Sequence, residues 1–435
     1  MIVRTSLSLL LAVAGVVGIA RAQPPSEWVG ENMSSLIELY RWFHQHPELS
    51  NYEEQTAARL AKEWQQAGYE VHTGIGGHGI VGILKNGAGP TVMLRTDMDA
   101  LPVIENTGLV YASQVTVKNK DGSDTGVMHA CGHDMHMTNL TGVARFLASH
   151  KDAWSGTLML IGQPSEERGE GARRMLEDGL YERFPKPDMA IALHCDGALA
   201  TGKIGYRAGY ALANVDSVDV VMHGRGGHGA APHTVIDPIV QAAQFITSVQ
   251  TIVSREMDPI APGVVTIGSI RGGTKHNVVP DSCKMQLTVR SYTPEVRKQI
   301  LDGIRRKADA VAKGAGAPPP TVTVLEEFTP ALFNDEELVQ RVVPVFQRLL
   351  GEGNVVASQQ AMGGEDFSRY AADGVPIFMF RLGTIEPKRL AGLTRGGMQP
   401  PSLHSAKYFP DPELALQTGV PAMCDSVLRL MPSHH

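Results

Sequence analysis

Apolar residues recur at helical spacing over Ser34 to His46 and again over Glu53 to Ala67, with Pro47 and the Ser50-Asn51 pair punctuating between them. Three short apolar runs follow, Thr91 to Leu94, Thr157 to Ile161 and Met189 to Leu193, and read as strands. Helical patterns at His136 to His150 and Gly171 to Asp178 separate them. Strands alternating with helices predict an α/β fold whose mostly parallel sheet is covered on both faces.

The pattern changes in the middle of the chain. Ser217 to Met222 alternates like a half-buried strand, a helix is predicted over Asp237 to Val253, and strand runs follow at Val264 to Ile270 and Lys284 to Val289. A second helix over Pro294 to Lys313 ends in the breaker-rich Gly314 to Pro320, before a strand at Thr321 to Leu325. The order β-α-β-β-α-β predicts an inserted ferredoxin-like α+β lid domain. The α/β pattern resumes with a helix at Glu336 to Leu350 and a strand at Pro376 to Leu382. The expected division is 1–22 as a signal peptide, 23–212 and 327–435 as the two parts of a catalytic domain, and 213–326 as a lid and dimerisation domain.

The signal-peptide reading rests on three features. Arg4 supplies a positive start, Ser6 to Ile19 are apolar, and Ala20-Arg21-Ala22 fits a small-x-small cleavage site that leaves Gln23 first. The apolar run is short for a bilayer span of about 20 residues, so the expectation is a secreted or periplasmic protein with no stable membrane insertion after cleavage. The chain's net charge of -6, with no long basic run, argues against nucleic acid as a partner. Cys131, Cys195, Cys283 and Cys424 are too scattered to read as a disulfide framework.

The predicted strands run directly into polar residues able to bind metal. Thr91 to Leu94 leads into Arg95-Thr96-Asp97-Met98-Asp99, Gly156 to Gly162 into Gln163-Pro164-Ser165-Glu166-Glu167, and Met189 to Leu193 into His194. The carboxyl ends of strands in a doubly wound sheet form the ligand crevice, so Asp97, the Glu166-Glu167 pair and His194 are expected at one edge. Between them Met128-His129-Ala130-Cys131-Gly132-His133-Asp134 places Cys131 and His133 to face one ion together. A thiolate, imidazoles and a carboxylate suit zinc, manganese, cobalt or nickel rather than calcium or magnesium. Adjacent glutamates leaving a strand point apart, so one can bind metal while the other takes a proton from a metal-bound water. Singly, each residue has a plainer reading as a buried cysteine, a helix-capping aspartate or an acidic pair opening a helix. Their convergence favours a site.

The segments Arg95-Thr-Asp-Met-Asp-Ala-Leu-Pro102, Met128 to Asp134, Gln163-Pro-Ser-Glu-Glu167, Gly224-Arg-Gly-Gly-His228, His276-Asn-Val-Val-Pro-Asp281 and Leu403-His-Ser405 resemble, in order, those of the M20 metallopeptidases. The similar branch is that of hippurate hydrolases and of N-acyl-amino-acid and auxin-conjugate amidohydrolases. The resemblance implies a dinuclear metallohydrolase with two divalent ions, zinc or manganese, cobalt and nickel being further options. Cys131 would bridge them, with His133, Glu167, His194 and His404 as the other protein ligands. Glu166 would be the general base, and Asp97 would hold a neighbouring ligand in orientation. His228, from the lid and often from a partner subunit, would stabilise the oxyanion, and Asn277 and Arg290 would recognise the substrate, Arg290 through its free carboxylate. A turn-forming His228, a surface Arg290 and an incidental His404 are the plainer alternatives for these three.

The resemblance also implies a homodimer or higher homo-oligomer. His44, His46, His129 and His136 are expected to support structure, and Glu365-Asp366, after Gly363-Gly364, matches a family segment of unassigned role. Met135, where the family has glycine, is expected at the rim of the site, and Cys195 as a second thiol near the metals. The expected reaction is hydrolysis of the amide bond of an N-acyl-amino acid. Carboxypeptidase or dipeptidase action on short peptides, or ligand binding without turnover, are the alternatives.

Overall fold

The computed structural model describes residues 23–118, 122–325 and 328–433. The signal-peptide reading of 1–22 therefore lies outside the described residues. Helices α1 (Pro25–Gln45) and α2 (Glu54–Gln66) lead into an antiparallel hairpin, β1 (Glu70–Ile75) and β2 (Gly79–Asn86). Apolar spacing does not reveal this hairpin, because its turn is built from glycines. A Cβ on Gly76, at φ 63°, would stand 2.5 Å from the Met175 backbone nitrogen, so the turn is specified by the absence of side chains.

Then come β3 (Thr91–Asp97), α3 (His133–Ser149), β4 (Gly156–Gln163), α4 (Gly171–Glu177), β5 (Met189–Ala200) and the short β6 (Ile204–Tyr206). β3 lies between β4 and β5 and is parallel to both. The chain thus leaves β3 to one side through α3 and returns to the other through α4. Such a reversal opens a crevice beyond the carboxyl ends of the strands.

The four strands β7 (Asn214–His223), β8 (Gly263–Gly272), β9 (Ser282–Ser291) and β10 (Thr321–Val324), with α5 (Pro238–Thr251) and α6 (Pro294–Gly314), form a separate layer pair. Its sheet order is β8-β9-β7-β10, antiparallel throughout, which with the chain order is the ferredoxin-like arrangement. Asp237 caps α5 through the Ile239 and Val240 amides, and Thr293 caps α6 through the Val296 amide. Along β9, Met285, Leu287 and Val289 are buried with α5 and α6, while Gln286, Thr288 and Arg290 occupy the opposite face. That alternation turns Arg290 away from the lid's core.

The chain closes with α7 (Glu336–Leu350), β11 (Val355–Ala357), β12 (Ile377–Ile385) and α8 (Pro412–Leu430). The main sheet runs β1-β2-β4-β3-β5-β12-β6-β11. Its centre, β4 through β12, is parallel; antiparallel pairs occur at β1–β2, β2–β4 and β12–β6. Both faces are covered, so β4 sends Leu158 and Leu160 into the core under α3 and α8 and Met159 and Ile161 into the opposite one. Each such burial contributes roughly 1.5–3 kcal/mol. β5 extends past the predicted end at Leu193, because β12 keeps pairing with it as far as Ala200.

Candidate functional site

Parallel register brings the predicted segments to one edge of the sheet. Asp97 ends β3 opposite Gln163 of β4, and His194 on β5 pairs with Arg381 on β12. The fourth contributor is the turn entering α3. Gly132 adopts φ 84°, and a Cβ there would lie 2.9 Å from the Cys195 sulfur. Glycine at this position lets Cys131 and His133 flank the helix start.

All five predicted ligands meet. The ligating atoms of Cys131, His133 and His194 lie within 4.8 Å of one another, and so do those of Cys131, Glu167 and His404. Cys131 belongs to both groups. Its Sγ is 3.6 Å from His194 Nε2, and His404 Nε2 is 3.4 Å from Glu167 Oε1. His133 Nδ1 is held by the Asp99 carbonyl at 2.8 Å and His194 Nδ1 by the Cys195 carbonyl at 2.8 Å, so each ring presents Nε2 to the group. His133 Nε2 and Glu167 Oε1 are buried without a hydrogen-bond partner. Unpaired buried polar atoms are costly, and these two converge with a thiol and two further imidazoles. The donor set fits a pair of borderline divalent cations.

The electrostatics point the same way. Burial, then Glu167, Glu166 and Asp97, push the Cys131 thiol well above its ordinary pKa. Burial disfavours the His133 cation, yet Asp97, Asp99 and Glu167 outweigh it and raise the pKa to about 10. Burial and Arg381 hold His194 well below its ordinary value, in the neutral form a ligand requires. Glu166 is raised by burial, then by Glu365, Glu167, Asp366 and Asp97. This is a concentration of negative charge suited to cations.

Asp97 stands behind the predicted ligands, with Oδ2 3.5 Å from His133 Nε2. Its Oδ1 takes His136 Nδ1 at 2.6 Å and its Oδ2 takes Arg95 Nη1 at 2.7 Å, while His133 Nδ1 is held by the Asp99 carbonyl. His136 in turn accepts the Cys195 amide at 2.8 Å, a supporting position as expected. Arg95 is the residue the sequence reading missed. Its Nη2 reaches Glu365 at 2.9 Å and Asp366 at 3.3 Å, and its Nε reaches Gln163 at 2.9 Å. Asp366 also accepts Gln163 Nε2 at 2.6 Å and the Ala172 amide at 3.0 Å. Glu365-Asp366 thereby acquires a place, as one side of a buried ion network next to Glu166. The strand motif Arg-x-Asp was the only available signal; its partners lie some 270 positions away.

One expectation is corrected, and a second is made more definite. Met135 is fully buried in the core under α3, not at the rim, because the first turn of the helix directs it inward. Cys195 faces the side of β5 opposite His194, among core residues, with its thiol directed to the Gly132 carbonyl. It belongs to none of the ligand groups. All four cysteines are buried and free.

A cleft of about 490 Å³ opens over the group, lined among others by Cys131, Glu166, Glu167, His194, Arg290 and His404. Its size suits a small ligand. Arg290 is half-buried with Nε on Thr288 Oγ1 at 3.1 Å. The other two lid residues are elsewhere. His228 is exposed in a two-residue strand pair with Val278, next to Asn277, whose carbonyl accepts the Gly229 amide at 2.8 Å. Neither lines this chain's cleft.

A mixed α/β sheet with thiol, imidazole and carboxylate groups gathered at the ends of parallel strands is the framework of a metal-dependent hydrolase. The model of peptidase family M20/M25/M40 matches residues 93–392. Thermostable carboxypeptidase 1 of Saccharolobus solfataricus is 36% identical over 383 residues, 87% of this chain and 91% of its own. N-acetyl-L-cysteine deacetylase of Bacillus subtilis is 35% identical over 349 residues, 77% of each chain. The crystal structure of Bacillus subtilis YXEP, described as a dinuclear metal binding peptidase from the M20 family, is similar with a TM-score of 0.76 at 29% identity, covering 92% of this chain and 99% of that one. The chain belongs to peptidase family M20/M25/M40 and is an enzyme acting on amide bonds.

Proposed function

We propose that the protein hydrolyses the amide bond of N-acyl-amino acids, of the hippurate or N-acetyl kind, and releases the free amino acid. The observation that carries this reading is the sharing of Cys131 between two ligand groups, with the Glu166 carboxylate beside them. In this reading Cys131, shared by the two groups, together with His133, Glu167, His194 and His404 would hold two divalent ions, zinc or manganese. Bound there, the ions would polarise the scissile carbonyl and acidify the attacking water.

Glu166 accepts the proton of that water and delivers it to the leaving nitrogen. Burial and neighbouring acids raise its proton affinity, which suits a group that must hold a proton between two steps. Arg290 binds the substrate's carboxylate from the lid. His228 and Asn277 are assigned to the oxyanion and substrate of a second subunit's cleft in a homodimer, since His228 is exposed and neither lines its own. Carboxypeptidase action remains the second reading, supported by the 36% identity to a thermostable carboxypeptidase. Secretion or periplasmic residence is supported by the pattern of residues 1–22. Among the described residues, no helix is long and apolar enough to cross a membrane.

The test is a panel of N-acyl-amino acids and matched dipeptides, assayed with and without chelator. Faster release from the acyl-amino acids supports the first reading, and faster dipeptide cleavage the second.

A further inference from the structure

The assignments above leave one cation of the cleft without a task. Arg381 stands on β12 beside His194, and its side chain is half-buried. It makes no hydrogen bond or ion pair with any described residue. It lines both the cleft over the ligand group and an adjoining cavity of about 320 Å³; the two share Leu212, Ala361 and Arg381 as a common wall. The adjoining cavity has a second arginine, but Arg207 is occupied, giving Nε to the Tyr210 carbonyl at 2.7 Å and Nη1 to the Ser358 carbonyl at 3.2 Å. Asp196 also lines it, and its Oδ1 takes the Ala198 amide at 2.8 Å.

The Arg381 guanidinium nitrogens keep contact with water and have no acceptor among the described residues, so the donors are free for a ligand in the cleft. A carboxylate is the group that matches them, through two parallel hydrogen bonds to the planar fork. Arg290 enters the cleft from the lid and is assigned one carboxylate; Arg381 lies on the sheet, at the mouth of a further cavity.

We propose that Arg381 and the adjoining cavity recognise a second carboxylate of the substrate, so that dianionic N-acyl-amino acids are preferred. This rests on the amide-hydrolase reading. The second carboxylate has two sources, an acidic side chain on the amino acid or a dicarboxylic acyl group.

The experiment compares kcat/KM for N-acetyl-alanine, N-acetyl-glutamate and N-succinyl-alanine on the metal-loaded native enzyme, Arg381→Met and Arg381→Lys. One dianionic compound should exceed N-acetyl-alanine by about 10- to 100-fold, the worth of a charged hydrogen-bonded pair. Preference for N-acetyl-glutamate assigns the carboxylate to the side chain, and preference for N-succinyl-alanine to the acyl group. Arg381→Met should collapse that ratio mainly through KM, and Arg381→Lys should restore part of it. Equal use of all three by the native enzyme, or an equal loss on all three in Arg381→Met, overturns the proposal. Absence of any hydrolysis overturns instead the amide-hydrolase reading. Arg381 is then tested by calorimetric titration of glutarate against butyrate, where a native preference for glutarate lost in Arg381→Met supports its role and equal binding refutes it.

Discussion

His133 gives its Nδ1 to the backbone carbonyl of Asp99 at 2.8 Å, which leaves Nε2 buried without a hydrogen bond, 3.5 Å from Asp97 and 4.0 Å from both Glu166 and Glu167. The Asp99 carboxylate adds to this arrangement, taking the Ser50 hydroxyl at 2.6 Å and the Glu167 amide at 3.0 Å. With Oδ1 also 3.3 Å from His133 Nδ1, the carboxylate braces two proposed metal ligands, one at the start of α3 and one in the turn after β4. Asp99→Ala should weaken metal binding by about 10- to 100-fold, the usual cost of losing such support. Turnover at saturating metal should fall much less. Metal titration of both proteins followed by assay checks this.

Glu166→Gln keeps the shape of the side chain and removes its capacity to accept a proton. The expected result is a folded protein with its metal retained and kcat reduced by about 10²- to 10⁴-fold. Elemental analysis beside single-turnover kinetics separates lost chemistry from lost metal.

Cys131 and Cys195 separate ligand from core. Cys131→Ala should lose bound metal and activity together. Cys195→Ala should keep both and give up about 1 kcal/mol of stability, as a small buried deletion does. Metal content per chain after dialysis decides the matter.

The network around Arg95 predicts a stability effect. Arg95→Met leaves Asp97, Glu365 and Asp366 buried beside one another without their cation. Removing one partner of a buried ion pair costs about 3–5 kcal/mol. A lowered thermal midpoint is expected, and substituting the acids one at a time should cost less.

His44 links α1 to the site from behind, with Nδ1 on Asp134 at 2.7 Å and Nε2 on Glu105 at 3.1 Å. Burial opposes its charge, but Asp134 and Glu105 outweigh burial and raise the pKa to about 9. The folded-state pKa is raised, so the stabilisation is fully present below pH ~6.5 and is lost as pH rises toward about 9. The stability advantage of the native chain over His44→Gln should therefore shrink by about 3 kcal/mol across that window. Denaturant unfolding at pH 6 and pH 9.5 measures it, and a constant advantage would show His44 to be neutral throughout.

Much of this architecture was legible in the chain. The central strands are continuous apolar runs because both faces of the sheet are covered, and their polar ends mark the crevice. The ferredoxin-like lid followed from the order of its elements. Relationships without local sequence signals were not legible. Arg95 and Glu365 are 270 positions apart, Arg381 is hidden inside an apolar strand, and the hairpin turn at Gly76 is defined by missing side chains. Met135 was misplaced because adjacency in sequence to a ligand does not fix the side of a helix on which a residue falls. For His228 and Asn277, a single chain contains no information about the cleft they are proposed to serve.

The most direct measurement is amino-acid release from N-acyl-amino acids by protein stripped with chelator and resupplied with zinc or manganese. The account predicts that release stops on stripping and returns with about two equivalents of one of these ions. Release that persists after complete metal removal, or none with any divalent ion while the same ligands bind, contradicts it.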